Sequence, residues 1–288
     1  MWGRVMDRRW IGMVLCGIAA VVVSCTHNPF FDDAAQTMDG STIRGKILMN
    51  DGASSEGTYV WLQGMNISTT ADENGEFLLT LPNPNIQPGG GLSGEFELYV
   101  YMGNYIIRSC QVLLLSGKVK YGQADVDASG HIRFPIMLQK MLTIEMNCSP
   151  SSYTVGDRLN FEMEIELTAL VDPLVVQMLL VPFEEQRLGR VFFRDVHAAV
   201  LRVYEYRGGG ALRKNRIRGA DQSYFVQAST TEFPLPPGTY EVVPYLDVLQ
   251  TGIPDSLLAS LGINPDKIDK QYLNIPYVRP KLLMTVHD

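Results

Sequence analysis

The chain has 288 residues and a formal net charge of −7, with 31 acidic side chains against 24 lysines and arginines. So acidic a chain lacks the cationic surplus that phosphate-directed binding needs, which excludes nonspecific nucleic-acid recognition. Its 26 glycines, 16 prolines and 13 tyrosines indicate many turns and strands, and its length suggests two domains.

The N-terminus has the layout of an export signal. Arg4, Arg8 and Arg9 form a positive start, residues 11–23 are almost purely apolar, and Ser24 precedes Cys25. The apolar run is shorter than the roughly 20 residues of a membrane-spanning helix. Val22-Val23-Ser24-Cys25 resembles the lipobox of bacterial lipoproteins. That resemblance implies cleavage after residue 24 and acylation of Cys25, with the rest of the chain held by its lipid at the cell envelope. An uncleaved anchor and an ordinary secretory cleavage are the competing readings. Cys16, preceded by Met13-Val14-Leu15, has no small residue before it and is the poorer candidate. Thr26 rather than Asp follows the cysteine, which in Gram-negative lipoproteins favours the outer membrane. Residues 1–24 carry a net +2, so the remainder carries −9. Attachment is therefore expected through acyl chains rather than through a polybasic patch.

Residues 25–41 show no sustained periodicity and read as a tether. From Thr42 onward the pattern is that of strands. Thr42-Ile43-Arg44-Gly45-Lys46-Ile47 alternates, Thr58-Tyr59-Val60-Trp61-Leu62 is β-branched and aromatic, and residues 67–70 form a short third strand. Asn74-Gly75 is a hairpin signal leading into Phe77, Leu79 and Leu81 on one face. The series Ile43-x-Gly45-x-Ile47, Thr58-x-Val60-x-Leu62 and Thr70-x-Asp72-x-Asn74-Gly75-x-Phe77-x-Leu79-x-Leu81-Pro82 resembles the carboxypeptidase regulatory-like domain, a transthyretin-like β-sandwich. The resemblance implies a seven-stranded sandwich over residues 42–140 that serves as an accessory module. A loop at 83–91 stands where that family continues with a short strand. Further strands are expected at 95–101, 104–115, 118–124 and 131–146, the last with an edge or bulge at Pro135.

A second domain is expected over 141–288. Leu159, Phe161, Met163, Ile165 and Leu167 alternate with Asn160, Glu162, Glu164 and Glu166, the pattern of a strand with one solvated face. The segment from Leu142 through this strand is loosely similar to the opening of immunoglobulin-like sandwiches. Later strands are expected at 174–181, 198–206, 222–228, 239–246 and 280–287. A short helix is expected over 254–262, capped by Asp255 or Ser256 with Gly262 just past its end, and a second helical turn at Pro265-Asp266. The fold class is thus all-β: two β-sandwich domains in tandem, with one or two short helices near the C-terminus.

Candidate chemistry is sparse. Asp125-Val126-Asp127-Ala128-Ser129-Gly130 begins like a calcium loop, but its twelfth position is Ile136 where a bidentate Glu is required. The four histidines lack zinc-ligand spacing, so neither a metal nor a cofactor is expected. Cys110 and Cys148 either pair in an oxidising compartment or sit as buried thiols. The segment 207–219 contains Arg207, Arg213, Lys214, Arg216 and Arg218 without an acid, a local reversal of the chain's charge. It reads as a solvated hairpin loop or as a contact for an acidic partner. Trp61 and exposed tyrosines are further candidates for stacking on sugar, against a core role. These features lead to the expectation of a lipid-anchored, non-enzymatic binding or assembly module for an envelope protein or polysaccharide. The alternatives are an envelope hydrolase with its site in 142–288, for which His197 is the histidine to inspect, and a structural spacer.

Overall fold

The structure is a computed structural model describing residues 40–219, 222–264 and 267–288. The lipobox, Cys25, nearly all of the tether and the helical turn expected at Pro265-Asp266 lie outside the described residues. Gly40–Asp288 forms one compact unit. Its described residues are all-β, with strands throughout, one short helix at Asp255–Ser260 and short 3-10 turns.

The first half contains β1 (Thr42–Met49), β2 (Tyr59–Leu62), β3 (Ile67–Thr70), β4 (Glu76–Thr80), β5 (Gly94–Tyr101), β6 (Arg108–Leu115), β7 (Lys118–Val119) and β8 (Ile136–Leu138). One sheet has the order β4-β1-β8, the other β3-β2-β5-β6-β7. β1 runs antiparallel to β4 and parallel to β8. Between the sheets lies a core that includes Ile43, Ile47, Val60, Phe77, Leu79, Leu98, Val112 and Leu138. The Asn74-Gly75 signal marks a tight turn rather than the expected hairpin, because β3 and β4 on either side of it enter different sheets. Asp72 Oδ1 accepts the backbone N–H groups of Asn74 at 2.9 Å and Glu76 at 2.8 Å. Gly75 sits at φ 77°, and a Cβ there would lie 2.3 Å from Ile47 O. Only glycine meets both demands.

The second half contains β9 (Leu142–Ser149), β10 (Ser152–Thr154), β11 (Asn160–Ala169), β12 (Leu174–Leu180), β13 (Arg190–Asp195), β14 (Leu201–Glu205), β15 (Ala211–Ile217), β16 (Gln222–Ser229), β17 (Gly238–Pro244), β18 (Leu246–Leu249) and β19 (Leu282–His287). The orders are β10-β19-β17-β13-β14, β16-β11-β9 and β15-β12-β18. Side chains from all three sheets meet in one core, among them Ile144, Phe161, Ile165, Val176, Phe193, Val226, Val242 and Met284. The alternation along β11 has the expected sense, with Phe161, Met163, Ile165 and Leu167 inward.

A third core joins the two halves. Tyr59, Trp61 and Tyr101 from the back of the first sandwich meet Phe192, Val243 and Tyr245 from the second. Leu257, Leu261, Tyr272 and Ile275 of the C-terminal segment pack among them. β2 is buried on both faces for this reason, Val60 and Leu62 facing one core and Tyr59 and Trp61 the other. Burying a large side chain contributes about 1.5–3 kcal/mol. The ten residues of this core come from both halves and the C-terminal segment, so separating the halves would expose them to water. The sandwiches are therefore coupled parts of one folded body.

Several expectations are revised. The strand expected at 104–115 begins only at Arg108, that at 118–124 spans Lys118–Val119, and that at 131–146 is broken into β8 and β9. The strand expected at 239–246 divides at Tyr245, so that β17 and β18 enter different sheets. The helix is capped by Pro254 rather than by Asp255 or Ser256, while Gly262 follows it at φ 77°. Cys110 and Cys148 are free thiols in separate cores. Burial pushes them up to about 12 and about 11, so both are unreactive at neutral pH.

Candidate functional site

The cationic segment is not a hairpin loop. Residues 211–217 form β15, an edge strand paired antiparallel with β12 from Leu174↔Ile217 to Leu180↔Ala211. Lysine and arginine suit such a position, since charge on an edge discourages pairing with another sheet. Alternation places Arg213 and Asn215 on one face of the strand and Lys214 and Arg216 on the other. β15 and β16 are consecutive in the chain but belong to different sheets. A cleft of about 660 Å³ opens where they diverge.

The segment after β12 forms the opposite wall. Glu184 N donates to Val181 O at 3.1 Å, closing a turn over Pro182 and Phe183. Phe183 has φ 69°. Proline cannot take positive φ, so this is the type II pattern, whose third position normally holds glycine. Phe183 is fully exposed. The segment is pinned beyond the turn. Phe225 N donates to Gln186 O and Leu188 N to Phe225 O, both at 2.9 Å. The Arg187 guanidinium lies 4.8 Å from the Tyr206 ring centroid and 3.4 Å from Glu184 Oε1.

On the floor, Asn215 Nδ2 donates to Tyr224 OH at 3.2 Å, and Tyr224 OH donates to Gln222 Oε1 at 3.4 Å. Burial raises the Tyr224 pKa and keeps its proton in this relay. Arg216 is held by Asp172 at 2.8 Å. Among the described residues Arg213 and Lys214 have no ion pair, while Glu184, paired with Arg187, and Glu185 line the same cleft.

Of the five cations singled out by sequence, Arg213, Lys214 and Arg216 line this cleft. Arg207 lies beside a separate hollow near Tyr206, 3.9 Å from Glu232. Arg218 is exposed just beyond β15. Phe183, Asn215, Gln222 and Tyr224 were missed. The one local signal was Pro182 followed by a non-glycine. Trp61 is 1% exposed in the third core and so cannot stack on a ligand.

The calcium-like segment is a closed polar turn: Asp127 Oδ1 accepts Ser129 N at 2.8 Å, Ser129 Oγ at 2.7 Å and His131 N at 2.9 Å. These bonds lower the Asp127 pKa against the opposing effect of desolvation. Among the described residues no group of three or more His, Cys, Asp or Glu is placed to hold a metal ion. His197 lies in an exposed turn, where its backbone N–H donates to Asp195 Oδ1 at 2.8 Å.

Fold and cleft together define an all-β protein of two fused sandwiches with a solvent-open cleft at a cationic edge strand. Comparison with protein-family models, curated proteins and solved structures returned no match.

Proposed function

We propose that this chain is a lipid-anchored protein of the cell envelope, acting as a non-enzymatic binding module for an envelope polysaccharide or protein. The anchor reading rests on the lipobox-like Val22-Val23-Ser24-Cys25, with Thr26 favouring the outer membrane. The accessory-module reading rests on the likeness of residues 42–140 to the carboxypeptidase regulatory-like domain, with 141–288 as the second sandwich. The observation that carries the binding function is the cleft beside β15, lined by Arg213, Lys214 and Arg216 together with Glu184 and Glu185, in which Arg213 and Lys214 form no ion pair among the described residues. Cations that form no ion pair within the fold are open to an acidic group of a partner.

Metabolic labelling with a fatty-acid probe should mark the protein, and Cys25→Ser should abolish the label; a label that survives defeats the anchor assignment. Crosslinking in intact envelopes should capture a partner with the native chain. The Arg213→Glu/Lys214→Glu variant should lose it, and equal capture by both would refute the cleft as the binding surface.

A further inference from the structure

We infer that the cleft between β15 and the 181–187 segment is a saccharide site selective for sugars that bear a carboxylate. This rests on the reading of that cleft as the partner-binding surface and names its ligand class.

The strongest observation is Phe183. A bulky side chain in the left-handed region is strained, and such strain persists where the surrounding fold over-determines it and where function uses it. Phe183 is held there by the Pro182 turn and by the hydrogen bonds of Gln186 and Leu188 to Phe225, yet its ring has no burial to offset the strain. Folding alone therefore gives no reason for an aromatic residue here. A ring presented at the lip of a cleft is a stacking surface for the C–H face of a pyranose.

The floor supplies what sugar hydroxyls require, a donor and an acceptor side by side. In the Asn215–Tyr224–Gln222 relay, the Asn215 amide donates and the Gln222 carbonyl accepts. This leaves the Asn215 carbonyl as an acceptor and the Gln222 NH₂ as a donor. Arg213 shares its strand face with Asn215, and its planar fork matches a carboxylate bidentately. The cleft volume of about 660 Å³ lies within the range of small-ligand sites. An acidic peptide adding to the β15 edge would use the strand's backbone, leaving Phe183 and the amide pair without a role.

The test is calorimetry on the purified full-length protein in detergent. The probes are hexamers of mannuronate, of galacturonate and of hyaluronan, a neutral glucose hexamer, and a hexaglutamate of comparable charge. At least one uronate-containing hexamer should bind, with the glucose hexamer and the hexaglutamate weaker by about tenfold or more. Phe183→Gly and Arg213→Gln should each weaken uronate binding by about tenfold. Circular dichroism should show the same β fold in both variants. Failure of all three uronates to bind overturns the inference, as does equal binding of hexaglutamate or indifference to Phe183→Gly. If the charge-reversed variant loses its envelope partner while no uronate binds, the cleft remains the binding surface and only the saccharide assignment falls.

Discussion

Asn104 and Val278, 174 residues apart in the chain, are joined by a reciprocal pair of hydrogen bonds. Asn104 Nδ2 donates to Val278 O at 2.8 Å, and Val278 N donates to Asn104 Oδ1 at 3.0 Å. The side chain thus imitates one rung of a β-ladder. The same Nδ2 reaches Leu142 O at 3.2 Å, and Asn104 O accepts Met141 N at 3.0 Å. One fully buried amide therefore ties together the end of the first sandwich, the start of the second and the C-terminal segment.

Asn104→Ala would strand the Val278 N–H and two carbonyl oxygens in a dry environment. An unsatisfied buried group costs about 1–3 kcal/mol, so a loss of about 3 kcal/mol is expected in urea denaturation. A loss below about 1 kcal/mol would show that water replaces the amide without penalty.

Asp247 makes stability depend on pH. On β18 it pairs with Gln177 of β12, and its charge acts on the buried Tyr101, Tyr245, Tyr272 and Tyr277. Burial raises its pKa to about 6. The unfolded carboxyl titrates near 3.9, so the folded state binds the proton more tightly. The contribution of Asp247 to stability is therefore greatest below about pH 4, falls as pH rises to about 6, and levels off above. The shift corresponds to about 2–3 kcal/mol. Asp247→Asn should raise stability at pH 7 by about that much and flatten the curve between pH 4 and 6. An unchanged pH profile in denaturation titrations would contradict the assignment.

Gly75→Ala adds a methyl group at φ 77°, 2.3 Å from Ile47 O and 2.4 Å from Ser55 Oγ. Ile47 O belongs to β1, and Ser55 Oγ is held against it by a hydrogen bond of 3.1 Å, so a destabilisation of about 3 kcal/mol is expected by thermal or chemical melting. A variant as stable as the native chain would mean that the chain tolerates a different turn here.

Phe183→Gly should act in the opposite direction. Relief of left-handed strain is worth about 1–2 kcal/mol, less about 0.5–1 kcal/mol for the added freedom of the unfolded chain. A net gain of about 0.5–1 kcal/mol should appear in the same denaturation assay. A loss of stability would show that the ring packs and would remove the argument for a ligand.

Much of the strand content was legible because alternation is a local property. β11 displays it over its whole length, since one face meets the core and the other meets water. β13 did not, because Val191 and Phe193 face the second core while Phe192 faces the third. A strand buried on both sides loses the period-2 signature. In β15 the cations at Arg213, Lys214 and Arg216 obscure any alternation, so the local pattern resembles a solvated loop. Only its pairing with β12 reveals it as a strand, and only its edge position makes those cations intelligible.

The amino-acid sequence by itself determined the all-β class, the tight turn at Asn74-Gly75 and the run of cations at the middle of the second half, all set by neighbours along the chain. Tertiary structure alone decided that Trp61 is buried, that Cys110 and Cys148 lie in different cores, and that Phe183, Arg213 and Asn215 line one cleft. Those outcomes depend on which surfaces of distant strands meet, and burial of the aromatic faces in the third core is a gain no single strand encodes.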